Sequence, residues 1–319
     1  MRRRSIQRGG IARSVVASGA AVCLIVTVAA SCLAQQAAVS LPDSTSSIKL
    51  VRAAVANEVA ASNDASVKHM FRSRRETRGK SQTRLYVETQ DAMAGMTIAY
   101  DDHPLSPQQM QDERARLDRL QASPEELKRK HSQEKNDADH TLRIVRALPD
   151  AFLYEYDGRE NSTPVLGRVG DELIRLKFRP NPSYSPPSRV EEVLKGMQGV
   201  VLIDPVARRI ARIDGTLFRE VTFGWGFFGH LNKGGHFCVE QGALGDGSWD
   251  VTHMQLAFAG KILMVKSLNI SSNEVFSDFR RVPSDTTFAK GVEMLKAEDA
   301  RLAANQTLRG PVTTGPKSH

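Results

Sequence analysis

Between residues 199 and 282 the apolar side chains recur at every second position, segment after segment, and this alternation constrains the fold more than any other feature of the chain. A period of two belongs to half-buried strands, whose side chains point alternately to opposite faces. The segments are 200–205, 209–213, 216–228, 236–241, 249–259 and 262–270, with 274–279 as a last edge strand. Thr252, Met254, Leu256 and Phe258 share one face. Ile262, Met264, Leu268 and Ile270 do the same on the return strand, interrupted by Lys266. Ala259-Gly260-Lys261 supplies one tight turn and Asp246-Gly247 another. An antiparallel meander with one apolar face needs a cover, and the remaining chain is read for what provides it.

The first 34 residues stand apart. Arg2, Arg3, Arg4, Arg8 and Arg13 head an uncharged run that ends at Cys32-Leu33-Ala34, the pattern of an export signal. Cleavage and release, lipidation at Cys32, and retention as a membrane anchor are the three fates this pattern allows, the first being the expected one. Of 44 Lys and Arg, five leave with the signal, and the remaining 39 against 36 Asp and Glu give about +3. No concentrated basic face or recognition motif follows, so nucleic acid is not an expected partner. The arginines 72, 74, 75, 78 and 84 read as the wet face of strands. Cys238 is the one cysteine beyond the signal, which excludes an internal disulfide in the mature chain and makes it a buried or half-buried thiol.

A flexible leader, 35–47, precedes a slim apolar helix over 48–61, with Val51, Val55 and Val59 four apart. Strands follow over 66–77, 82–89 and 93–100. Ser106-Pro107 with Gln109, and Ser123-Pro124 with Glu126, are capping boxes. They predict charged helices over 107–121 and 124–137, with a third piece, 141–148, stopped by Pro149. Few apolar residues lie in them, so they read as a charged insert, 106–148, laid over one sheet edge. Strands at 152–156 and 172–179 and a short helix at 188–197 lead into the meander, and 283–319 reads as a polar helical or disordered tail.

Gly224-Trp225-Gly226-Phe227-Phe228-Gly229 is the most unusual stretch. Alternation puts Phe223, Trp225 and Phe227 on a shared face, either as core beneath a closely approaching neighbour or as an aromatic lip at the mouth of a hollow. His236, Cys238 and Glu240 project to one side of their strand, and with His230 and His253 they invite a metal reading. No compact Cys/His spacing accompanies them, so a polar face is the preferred reading and no metal ligand or cofactor is assigned. No Gly-x-Ser-x-Gly elbow, His-Glu-x-x-His helix or carboxylate pair is present, and Ser248 alone is no nucleophile. No catalytic residue is assigned.

Several phrases resemble an uncharacterised family of exported bacterial proteins related in fold to the periplasmic outer-membrane lipoprotein-sorting carriers. They are residues 146–152 (RALPDAF), 176–182 (LKFRPNP), 197–204 (MQGVVLID), 223–227 (FGWGF), 231–234 (LNKG) and 274–279 (EVFSDF). The resemblance implies an α+β fold in which a strongly curved antiparallel sheet, a half-barrel, wraps around helices in one domain over 48–282. The expected function is non-catalytic binding of an apolar ligand, a lipid or a lipoprotein acyl chain, in the periplasm or outside the cell. Phe223, Trp225, Phe227, Phe228, Met254, Leu256, Phe258 and Met264 would line the cavity or its lip. The alternatives are a structural or sensory module that binds an envelope protein through the charged insert or touches a membrane surface, and a metal-dependent enzyme using the polar face 236–253.

Overall fold

A computed structural model of the chain describes residues 44–223, 229–262 and 266–309, so the expected signal segment, 1–34, lies outside the described residues. Four α-helices are present among them: α1 Ser44–Ser62, α2 Pro107–Ala122, α3 Pro124–Ala151 and α4 Phe288–Arg309. The strands are β1 Lys68–Thr77, β2 Lys80–Val87, β3 Ala94–Tyr100, β4 His103–Pro104, β5 Phe152–Asn161, β6 Glu172–Pro180, β7 Met197–Asp204, β8 Arg209–Leu217, β9 Val221–Phe223, β10 Gly229–Leu231, β11 His236–Ala243, β12 Trp249–Ile262 and β13 Lys266–Val282. They form one antiparallel sheet in the order β4-β3-β2-β1-β13-β12-β11-β8-β7-β6-β5, with β9 and β10 branching from β12. The sheet is open, because β4 and β5 at its two ends do not pair. No helix among the described residues is long and apolar enough to cross a membrane.

Each end of the sheet has its own core, on opposite faces. At the β5–β8 end, Val51, Ala54 and Val55 of α1 and Leu148 and Ala151 of α3 pack on Phe152, Tyr154, Leu176, Phe178, Val201 and Ile203. At the other end, Leu117 of α2 and Phe288, Val292 and Leu295 of α4 pack on Met70, Leu85, Val87 and Met96. The register places Val201, across Ile213, Val239 and Met254, on the face opposite to Met70. The apolar helix thus covers only one end of one face.

The two helices between β4 and β5 differ from their expected form. α3 is one helix of 28 residues, passing through Pro149, and it merges two predicted pieces. Proline is tolerated there because the helix ends two residues later and its last carbonyls find outside donors. Tyr154 Oη donates to Leu148 O (2.8 Å), Asn181 Nδ2 to Asp150 O (2.9 Å) and Asn181 N to Ala151 O (2.8 Å). The Ser106–Gln109 capping box is present, whereas Ser123 contributes only its half, accepting from Glu126 N. Within 107–137 Leu117 is the buried residue, the last turns of α3 add Leu148 and Ala151, and the pair connects the two opposite ends of the sheet.

Three further expectations are corrected. Gly260 is not a turn: β12 runs through it to Ile262, which pairs with Lys266 of β13. Glycine is required because a Cβ there would lie 2.1 Å from His230 O of β10. The segment 274–279 is not an edge strand but part of β13, in the middle of the sheet between β1 and β12. The segment 216–228 is not one strand, since β8 stops at Leu217 and β9 starts at Val221.

The supposed tail contains α4, whose Phe288, Val292 and Leu295 are buried. Its polar side is tied down by Glu298, bonded by Arg301 (2.6 Å) and Arg280 (2.8 Å). The Arg301 bond, opposed by burial and aided by Arg280, holds the Glu298 carboxyl at about 2. A depressed carboxyl adds stability that is full above its ordinary value of 4.5 and is lost as pH falls through about 2. Both arginines are half exposed, so the expected contribution is about 1–2 kcal/mol. Urea unfolding of wild type and Glu298→Gln should differ by that amount at pH 6 and converge toward pH 2; a constant gap would refute the linkage.

Candidate functional site

Antiparallel register decides which predicted side chains meet. Met254 stands opposite Glu274, Leu256 opposite Ser272 and Phe258 opposite Ile270, all on the face that α1 covers farther along. Phe276 follows on β13 and meets Phe71 of β1 (6.1 Å between ring centres), which stacks on Tyr86 of β2 (5.3 Å) and Phe279 (5.4 Å). An apolar strip therefore crosses β12, β13, β1 and β2. Phe258 packs into the α1 core, pressed against Gly235, where a Cβ would meet its ring at 2.5 Å. Met254, Leu256, Ile270 and Phe276 belong to none of the buried clusters among the described residues, and Ile270 is 38 % exposed. The strip is broken by one charge: Glu274, 3 % exposed, accepts from Ser73 Oγ and from Arg75 Nε (2.8 Å).

Of the other expected lining residues, Phe223 closes β9, while Trp225, Phe227, Phe228 and Met264 lie outside the described residues. The chain leaves and re-enters through β9 and β10, and Gly229 of β10 pairs with Ile262 at the end of β12. Two shallow grooves lie elsewhere. One of about 500 Å³ runs between α4 and the β1–β13 bulge, rimmed by Arg72, Arg280 and Arg301. Another of about 460 Å³ lies along α2.

One polar cluster was not legible in the sequence, and a second is narrower than the set of five residues singled out there. The first surrounds His69 of β1, which is 2 % exposed. Its Nε2 lies 3.1 Å from Asp246 Oδ2 and 3.2 Å from Ser248 Oγ, while Glu88 and Asp250 flank Nδ1 at 3.9 and 3.8 Å. Serine, histidine and aspartate suggest a hydrolytic triad, but the connections are wrong for one. Ser248 donates to Asp246 Oδ1 (2.5 Å), and the same aspartate takes the Nε2 side of the ring that a triad reserves for serine. Burial works against the Asp246 charge, but the bonds from Ser248 and His69 prevail and set its carboxyl at about 2. Burial raises Glu88 and Asp250. The cluster clasps the β11–β12 loop onto β1.

The second cluster is on the other face. Cys238 and Glu240 are two apart on β11, and His253 of β12 is directly opposite Glu240. The three ligand atoms lie within 4.8 Å of one another. Arg212 of β8 donates Nε to Glu240 Oε1 (2.7 Å) and Nη1 to Glu160 Oε1 (2.9 Å), continuing a row of charge across the strands. Burial, reinforced by Asp214 and Glu240, pushes the Cys238 thiol up to about 11. His236, expected beside Cys238, turns instead to Asp214 (3.1 Å).

No protein-family model matches the chain, and no curated protein matches it. Among solved structures, it is similar to the crystal structure of a DUF1329 family protein from Desulfovibrio piger, with 10% identity over 73% of this chain and 92% of that chain. The TM-score of 0.24 is too low for strands to be equated one by one, so neither residue roles nor a ligand are taken from that protein.

Proposed function

We propose that this is an exported, non-catalytic protein of the cell envelope that holds an apolar chain, a lipid tail or the acylated end of a lipoprotein, along the strip formed by Met254, Leu256, Phe258, Ile270 and Phe276. In this reading the sheet bends as a half-barrel around α1, in the manner of the lipoprotein-sorting carriers. The charged pair α2–α3 is then an insertion between the strands at the two ends of the sheet. The observation that carries it is that register gathers Met254, Leu256, Ile270 and Phe276 on one face outside the buried clusters of the described residues, with Phe258 joining them to the α1 core. An acyl chain suits such a surface because each methylene removed from water contributes about 0.8 kcal/mol and no directional partner is needed.

The test is native mass spectrometry of protein purified from the periplasm of its host, followed by displacement of a fluorescent fatty acid. A co-purifying lipid is expected, with Leu256→Asp weakening the fatty acid about tenfold, equal to about 1.4 kcal/mol. Protein that carries no lipid and binds no fatty acid would overturn the reading. Retention of partner proteins through α2–α3 under those conditions would favour an interaction module instead.

A further inference from the structure

The Cys238–Glu240–His253 cluster gathers a thiol, a carboxylate and an imidazole on one face of the sheet. His253 Nε2 lies 2.6 Å from Asn273 Oδ1 of β13. An amide oxygen only accepts, so Nε2 donates to it and Nδ1 is the ring nitrogen left for Glu240. Glu240 Oε2 is 3.2 Å from that Nδ1. Either a proton on Nδ1 or a metal ion in its place can join that pair. Beside both is Cys238 Sγ, a third donor, 7 % exposed and carried on the same strand face as Glu240.

We propose that Cys238 Sγ, Glu240 Oε2 and His253 Nδ1 form a three-ligand site for a divalent transition-metal ion of the zinc class, with a fourth position open to water. Thiolate, imidazole and carboxylate together select such an ion over calcium or magnesium, which take oxygen donors. Both strand-borne ligands have their outer atoms secured, as metal ligands commonly do: Asn273 holds the imidazole and Arg212 holds the free carboxylate oxygen. Tetrahedral coordination at bond lengths near 2.0–2.3 Å needs ligand atoms about 3.3–3.8 Å apart. The Glu240–His253 separation of 3.2 Å is next to that range, and Cys238 Sγ lies within 4.8 Å of both ligand atoms. On binding, the sulfur–metal bond forms as the Cys238 thiol proton passes to solvent.

The site is independent of the apolar-ligand reading, because Cys238, Glu240 and His253 point to the face opposite Met254 and Leu256. Untagged full-length protein, stripped with EDTA, would be titrated with Zn2+ by calorimetry and with Co2+ by absorption. One equivalent of each is expected, with a thiolate-to-cobalt charge-transfer band in the near ultraviolet. Cys238→Ser should abolish the band, which separates it from any contribution of Cys23 or Cys32. His253→Gln should weaken zinc at least about 100-fold, and Asn273→Ala about 10–100-fold. His253 is only half-buried, so its variant tests the site even if the Cys238 variant does not fold. Absence of saturable binding in the wild type, or affinity unchanged by His253→Gln, would overturn the proposal.

Discussion

Replacing Glu58 by alanine is expected to lower the unfolding free energy by about 3–5 kcal/mol, because it strips a nearly buried arginine of its partner. Glu58 extends from α1 to the sheet. Its Oε1 accepts from Arg209 Nε and Ile210 N, both at 2.9 Å, and its Oε2 accepts from Arg209 Nη2 (2.9 Å) and Gln241 Nε2 (3.3 Å). The two charged side chains are 11% and 14% exposed, so screening by water is slight. Alanine leaves the guanidinium and the Ile210 amide unsatisfied together. Urea denaturation of both proteins measures the difference. A loss under about 1 kcal/mol would place the pair among ordinary surface ion pairs.

The second large effect is expected at Phe288, the first residue of α4. Phe288→Ala should cost about 3–5 kcal/mol, the range for truncating a fully packed aromatic ring. The ring sits with Val292 and Leu295 over Met96, Val87 and Leu85, and the Phe288 amide donates to Asp91 Oδ2 (2.9 Å), which starts the helix. Gly291 lets the helix lie close: a Cβ there would be 2.8 Å from Thr89 Cγ2. Thermal unfolding followed by circular dichroism gives the test. An unchanged midpoint would mean that α4 is dispensable to the sheet, contrary to its burial.

The alternation of side chains made most strands legible, because a period of two survives whatever the strands pair with. Pairing order was not legible, since it depends on contacts between distant residues. Phe288, Val292 and Leu295 do recur at helical spacing, but the alanines and charges around them mask the stripe. Gly260 looked like a turn because glycine's commonest use is conformational, whereas here it answers to the β10 backbone.

The Cys238–Glu240–His253 cluster shows the limit most sharply. The pairs Ala243–Trp249, Gly242–Asp250 and Gln241–Val251 are symmetric about Asp246, and continuing them would set Thr252 beside Glu240. A bulge at Thr252, whose hydroxyl donates to Val165 O (2.6 Å), shifts the register by one, so that His253 faces Glu240. One extra residue moves a histidine from one side of the sheet to the other, and no local pattern announces it.

The union of β1 with β13 has a consequence for the order of events during folding. Ser73 and Glu274, bonded across that seam, are 201 residues apart, and the seam joins the half of the sheet made first to the half made last. A ribosome that has released only the early strands has released a fragment whose middle neighbour does not yet exist. Early chain therefore waits with β1 unpaired on one side until the last strand is made, and closing a seam of such long sequence separation is slow.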